Sequence, residues 1–80
     1  MGVIRQNILQ KLYDFKKAGR KNVNMGEIAP KGEEEAYQRV ARELYDEGLI
    51  TATEHEWIDD IPELSSMGIT DDGVDYLKNQ

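Results

Sequence analysis

Apolar residues recur along this chain at helical spacing in two stretches, and a third, alternating stretch lies between the second of them and a short closing segment. Ile4, Ile8, Leu12 and Phe15 follow a helical period and predict a first helix over Val3 to Ala18, with Leu9 and Tyr13 flanking the stripe. Gly19 is its natural stop, and Lys16 and Lys17 sit in the last turn, where cations suit the helix dipole. Arg20-Lys21-Asn22-Val23 reads as a polar connection. Asn24 with Glu27 three residues on has capping-box spacing and predicts a short second helix over Met25 to Ala29, ended by Pro30-Lys31-Gly32. Tyr37, Val40, Ala41 and Leu44 fall at i, i+3, i+4 and i+7 and predict a third helix over Glu33 to Glu47, closed by Gly48.

Beyond Gly48 the period changes. Leu49 to Glu56 and Leu64 to Ile69 read as the two strands of a hairpin. Centring it on Asp59-Asp60 pairs Ile50 with Ile69 and Ala52 with Met67, so apolar residues face each other. Pro62 belongs at an edge or turn. Thr70 then caps a closing helix from Asp71 to Asn79, with Asp71 and Asp72 at its positive end and Val74 and Leu77 facing inward.

Helix, short helix, helix, hairpin and helix in that order resemble the winged helix-turn-helix superfamily. The resemblance spans nearly the whole chain and is most specific at Val40 to Ile50 and Ile69 to Leu77. The Glu47-Gly48-Leu49-Ile50 helix exit and the segment Ile69-Thr70-Asp71-Asp72-Gly73-Val74-Asp75-Tyr76-Leu77 are similar to the small YjcQ-like proteins of Gram-positive bacteria and their prophages. The resemblance implies an α+β winged-helix fold, one domain over residues 1–80, and a regulatory or interaction role. That family's function is itself largely undefined.

Composition sharpens the functional side. Eighty residues supply one modest core and no room for an internal substrate cavity. With no cysteine, disulfides and thiolate metal sites are excluded. The absence of a membrane-length apolar run or signal-type leader suggests a soluble, cytoplasmic protein that does not engage membranes. The net charge of −6 is unevenly spread. Residues 1–32 carry Arg5, Lys11, Lys16, Lys17, Arg20, Lys21 and Lys31 against Asp14 and Glu27. Residues 33–80 carry Arg39, Arg42 and Lys78 against fourteen carboxylates.

Winged helices that read DNA usually place the third helix in the major groove, and phosphate binding needs cations. Here the corresponding helix surface is Glu34, Glu35, Gln38, Arg39, Arg42 and Glu43, and the wing is rich in Glu and Asp. The chain therefore departs from the DNA-reading pattern. Arg39 and Arg42 could contact bases, but Glu35, Glu43 and Asp46 lie four residues from one or the other and offer intrahelical pairing instead. Lys16, Lys17, Arg20 and Lys21 form the only basic cluster. They could hold a phosphate backbone or simply solvate a helix end. Glu33, Glu34 and Glu35 complement the helix N-terminus and can still meet a basic partner. Trp57 among Ile58, Ile61 and Leu64 is either an aromatic docking anchor rimmed by Asp59 and Asp60, or part of a wing folded on its own core.

Little points to catalysis. Ser65 and Ser66 lack a nucleophile turn, no phosphate-cradling glycine loop is present, and the carboxylates fall on exposed elements. His55 among Glu54, Glu56, Asp59 and Asp60 lacks a structural zinc pattern, so neither a metal nor a cofactor is expected. The leading expectation is a noncatalytic, phage- or prophage-associated module, monomeric or weakly dimeric, that binds a basic protein through Glu34, Glu35, Trp57, Asp59 and Asp60. The alternative is a DNA-binding regulator using Gln38, Arg39, Arg42, Lys16, Lys17, Arg20 and Lys21. A third reading is a DNA-mimicking inhibitor of a basic nucleic-acid-binding protein.

Overall fold

The fold turns on how the exit of one helix and the start of another are tied together. The computed structural model describes residues 2–55 and 63–79. They form α1 (Val3–Lys17), a single 3-10 turn (Met25–Glu27), α2 (Glu34–Asp46), β1 (Ile50–His55), β2 (Glu63–Ile69) and α3 (Asp71–Lys78). This is an α+β arrangement of three helices and a two-stranded antiparallel hairpin. Among the described residues no helix is long and apolar enough to cross a membrane.

Both long helices close in the same way. After α1, Gly19 turns to φ +85°, its N–H donates to the Lys16 carbonyl at 3.0 Å, and the Arg20 N–H reaches the Phe15 carbonyl at 2.8 Å. After α2, Gly48 turns to φ +79°, its N–H donates to the Tyr45 carbonyl at 3.1 Å, and the Leu49 N–H reaches the Leu44 carbonyl at 3.0 Å. These are paired Schellman closures, which satisfy carbonyls that a helix end leaves open.

The core gathers Ile8, Leu9 and Leu12 of α1, Val23, Met25 and Ile28, Tyr37, Ala41 and Leu44 of α2, Leu49 and Ile50, and Leu64, Met67 and Ile69. Among the described residues no polar or charged side chain is fully buried. The inward face of α1 is centred differently from its expected stripe. Leu9 is completely covered, while Ile4 and Phe15 pack only in part.

Three other expectations are corrected. The predicted second helix is one 3-10 turn, in keeping with the poor helix propensity of Gly26 and the break at Pro30. Val23 is not part of a polar connection. It is 1% exposed and exchanges backbone hydrogen bonds with Met67 at 3.0 and 2.8 Å, adding a single bridge to the far side of β2. The hairpin keeps the expected Ile50–Ile69 pair, but a β-bulge falls between Thr51 and Thr53, where Ala52 was expected to face Met67. Ser66 takes up the extra residue at φ +51°, and its N–H donates to Asn24 Oδ1 at 3.3 Å.

The start of α3 is fastened to the end of α2. Thr70 Oγ1 accepts the Gly73 N–H at 3.0 Å as the N-cap, and donates to the Gly48 carbonyl at 2.8 Å. The Thr70 N–H donates to the Leu49 carbonyl at 3.1 Å. Gly73 is buried against that carbonyl, and a Cβ there would lie 2.1 Å from Leu49 O and 2.7 Å from Ile69 Cγ1. Only glycine lets α3 come this close.

Gly73→Ala should therefore lower unfolding free energy by about 1–3 kcal/mol despite alanine's better helix propensity. Thr70→Val, which keeps the shape and loses the cap, should cost about 1 kcal/mol. Urea denaturation followed by circular dichroism measures both, and an alanine variant as stable as the parent would refute the packing argument.

Candidate functional site: an acidic helix face and a basic groove

The outward side of α2 is built from residues left over once Tyr37, Ala41 and Leu44 are turned inward. Over 33–47 it carries six carboxylates and two guanidinium groups. Arg39 donates to Glu35 Oε1 at 2.8 Å, one helical turn back. Arg42 Nε lies 3.4 Å from Asp46 Oδ1, and its guanidinium stands 6.0 Å from the centre of the Tyr45 ring. Glu34 Oε2 accepts the Gly32 N–H at 2.9 Å, and its side chain remains exposed, as do Glu33 and Glu43. Each outward cation of α2 thus pairs with a carboxylate of its own helix, and carboxylate charge remains in excess.

Gln38 does not join this surface. Its Oε1 accepts the Leu64 N–H at 3.2 Å and its Nε2 lies 3.5 Å from the Leu64 carbonyl, so the amide clips α2 to β2. Its place between inward Tyr37 and outward Arg39 hides this role from sequence spacing, which shows nothing of the strand packed beside it.

The basic residues of the first part of the chain separate. Arg5 forms a two-pronged pair with Glu47 at 2.8 and 2.9 Å and stacks 5.4 Å from the Tyr76 ring, joining the start of α1 to the end of α2 and to α3. Lys11 donates to the Ile28 carbonyl at 2.9 Å. Lys17 lies 3.7 Å from Asp14 and 4.7 Å from the centre of the Tyr13 ring. Arg20 forks onto Glu27 and covers the Phe15 ring at 4.9 Å. Lys16 lies 3.7 Å from Asp71, and Lys21 has no side-chain partner among the described residues.

Lys16, Arg20 and Lys21 nevertheless line one groove of about 390 Å³, together with Leu12, Gly19, Val23, Thr51, Gly68 and Ile69. The sequence shows these cations, with Lys17, as one basic cluster, but the groove that Lys16, Arg20 and Lys21 line exists only once the connection after α1 is pinned to β2, and Lys17 is not part of its lining. Trp57, Asp59 and Asp60, the other candidates for protein binding, lie outside the described residues.

The Glu27 carboxylate is held from two sides. The Arg20 guanidinium, and then the Asn24 N–H at 3.1 Å, hold its carboxyl below the ordinary carboxylate range. The Arg5 guanidinium does the same for Glu47. Among the described residues no group of three or more side chains is placed to hold a metal ion. Comparison with protein-family models, curated proteins and solved structures finds no match for this chain.

Two outcomes are expected. Gln38→Ala leaves the Leu64 backbone groups short of a partner and should cost about 1–3 kcal/mol, whereas Arg39→Ala should leave the denaturation midpoint nearly unchanged. The folded forms of Glu27 and Glu47 bind a proton less readily than the unfolded chain. Their stabilisation is thus complete above the ordinary value of 4.5 and is lost as pH falls through the lower folded values. Acid unfolding of an Arg5→Gln, Arg20→Gln variant should show a shallower decline below that point than the parent. An identical decline would mean that these pairs do not govern acid stability.

Proposed function

We propose that this chain is a noncatalytic winged-helix module that binds a protein partner through the acidic face of α2. The observation that carries the reading is the pairing of Arg39 and Arg42 inside their own helix while Glu33, Glu34 and Glu43 stay exposed. A major-groove helix needs cations and amides pointing outward. Here the amide of Gln38 is held by β2, and the cations face competing carboxylates. Such a surface attracts a basic partner and repels a polyanion, with a range set by salt.

The order α1, 3-10 turn, α2, β1, β2, α3 supports the winged-helix reading, as does the Val23–Met67 bridge that extends the hairpin to a third piece of chain. The resemblance to YjcQ-like proteins suggests a phage or prophage regulatory setting.

The test is amide chemical-shift mapping with two probes, a lysine-rich peptide and a nonspecific DNA duplex. The peptide should perturb residues 33–46, with binding that weakens several-fold between about 20 and 150 mM salt and in a Glu34→Gln, Glu35→Gln, Glu43→Gln variant. The duplex should leave α2 unperturbed at the higher salt. Duplex-induced shifts along α2 at that salt would overturn the reading in favour of a DNA-binding regulator.

A further inference from the structure

We propose that the groove between the end of α1 and the base of the hairpin takes a short acidic peptide segment of a protein partner, with one aliphatic side chain seated between Lys16 and Lys21. This surface is distinct from the acidic face of α2 and carries the opposite charge, so the inference stands independently of the function proposed for that face.

The groove is a consequence of backbone routing. Leu12 and Lys16 lie one turn apart on α1, so the leucine supplies part of the floor and the lysine part of the rim. The closure at Gly19 turns the chain back, the Arg20–Glu27 fork draws the connection over Phe15, and the paired Val23–Met67 hydrogen bonds fix it alongside β2. Gly68 lies between this connection and β1. A Cβ there would stand 3.2 Å from both the Lys21 carbonyl and Thr51 Oγ1. The floor is open because position 68 has no side chain, and Val23, Ile69 and Leu12 supply its apolar lining.

The volume of about 390 Å³ is within the range of sites that enclose a small ligand or the anchor of a peptide. Its charge selects the anchor's flanks. The Arg20 guanidinium is occupied by Glu27, which leaves two ammonium groups for a ligand. Lys21 has no side-chain partner among the described residues, and Lys16 makes only a 3.7 Å contact with a fully exposed Asp71. An exposed pair of that length contributes little and yields readily to another carboxylate. Two ammonium groups suit the carboxylates of one short peptide. They do not suit a duplex, whose affinity rests on many neutralised phosphates and which a chain of net charge −6 repels.

The probe is an acetylated and amidated five-residue peptide with leucine flanked on each side by two acidic residues. Its titration should shift the amides of Lys16, Gly19, Lys21, Thr51 and Gly68. A Lys16→Glu, Lys21→Glu variant, both positions being exposed, should keep the parent's melting temperature and lose about tenfold or more in affinity. Replacing the peptide's leucine by serine should weaken binding by about tenfold, and Gly68→Ala should abolish the preference for leucine by filling the floor. Shifts confined to other residues, equal binding of the serine peptide, unchanged binding by the charge-reversed variant, or a DNA duplex perturbing the same amides more strongly at about 150 mM salt would each overturn the proposal.

Discussion

The Leu49 peptide unit is the point on which this small fold depends. Its N–H closes α2, its carbonyl accepts the Thr70 N–H, and the same carbonyl lies against the Gly73 backbone where no side chain could fit. Thr70 adds a second tie through its hydroxyl, which caps α3 and binds the Gly48 carbonyl. An eight-residue helix is too short to persist alone in water, and a two-stranded hairpin is marginal at best. Each becomes stable by being fastened to the exit of α2. Ile50 and Ile69 are brought opposite each other by the same junction, which sets the register at the base of the hairpin.

From that junction the polar interactions spread outward in a way that decides what the surface can do. Cations from the first part of the chain are drawn into tertiary duties, Arg5 on Glu47, Lys11 on the Ile28 carbonyl and Arg20 on Glu27. The two cations of α2 are held by carboxylates of their own helix. Carboxylates outnumber cations over residues 33–47, so the outward face of α2 remains acidic. Lys16, held only by a 3.7 Å contact with the exposed Asp71, and Lys21 border the groove over Gly68. The acidic face of α2 and the groove between Lys16 and Lys21 thus carry opposite sign. These exposed ion pairs contribute little to stability individually, and their larger effect is on where charge is presented.

Much of this was legible in the chain. The helical periods around Leu12 and Leu44, the glycines after both helices, the Thr70 cap and the Ile50–Ile69 pairing all follow from interactions between residues close in sequence or from a simple alternation. The pairing of Arg39 with Glu35 and of Arg42 with Asp46 was equally local. The 3-10 turn at Met25–Glu27 is shorter than the helix its capping spacing predicts, because a capping signal says where a helix begins, not how far it runs.

The sequence by itself determined the helices, their ends, the alternation of the strands and the sign of the charge on α2, because each depends on neighbours within about one or two helical turns or on the period of a strand. The tertiary structure decided the rest. It turned Gln38 from an apparent surface reader into a clip on Leu64, made Val23 a strand partner of Met67, placed a bulge at Ser66 and gathered Lys16, Arg20 and Lys21 around one groove. Each of these depends on residues a dozen or more positions apart, or on the space that a missing Cβ leaves, and no local pattern in the chain records either.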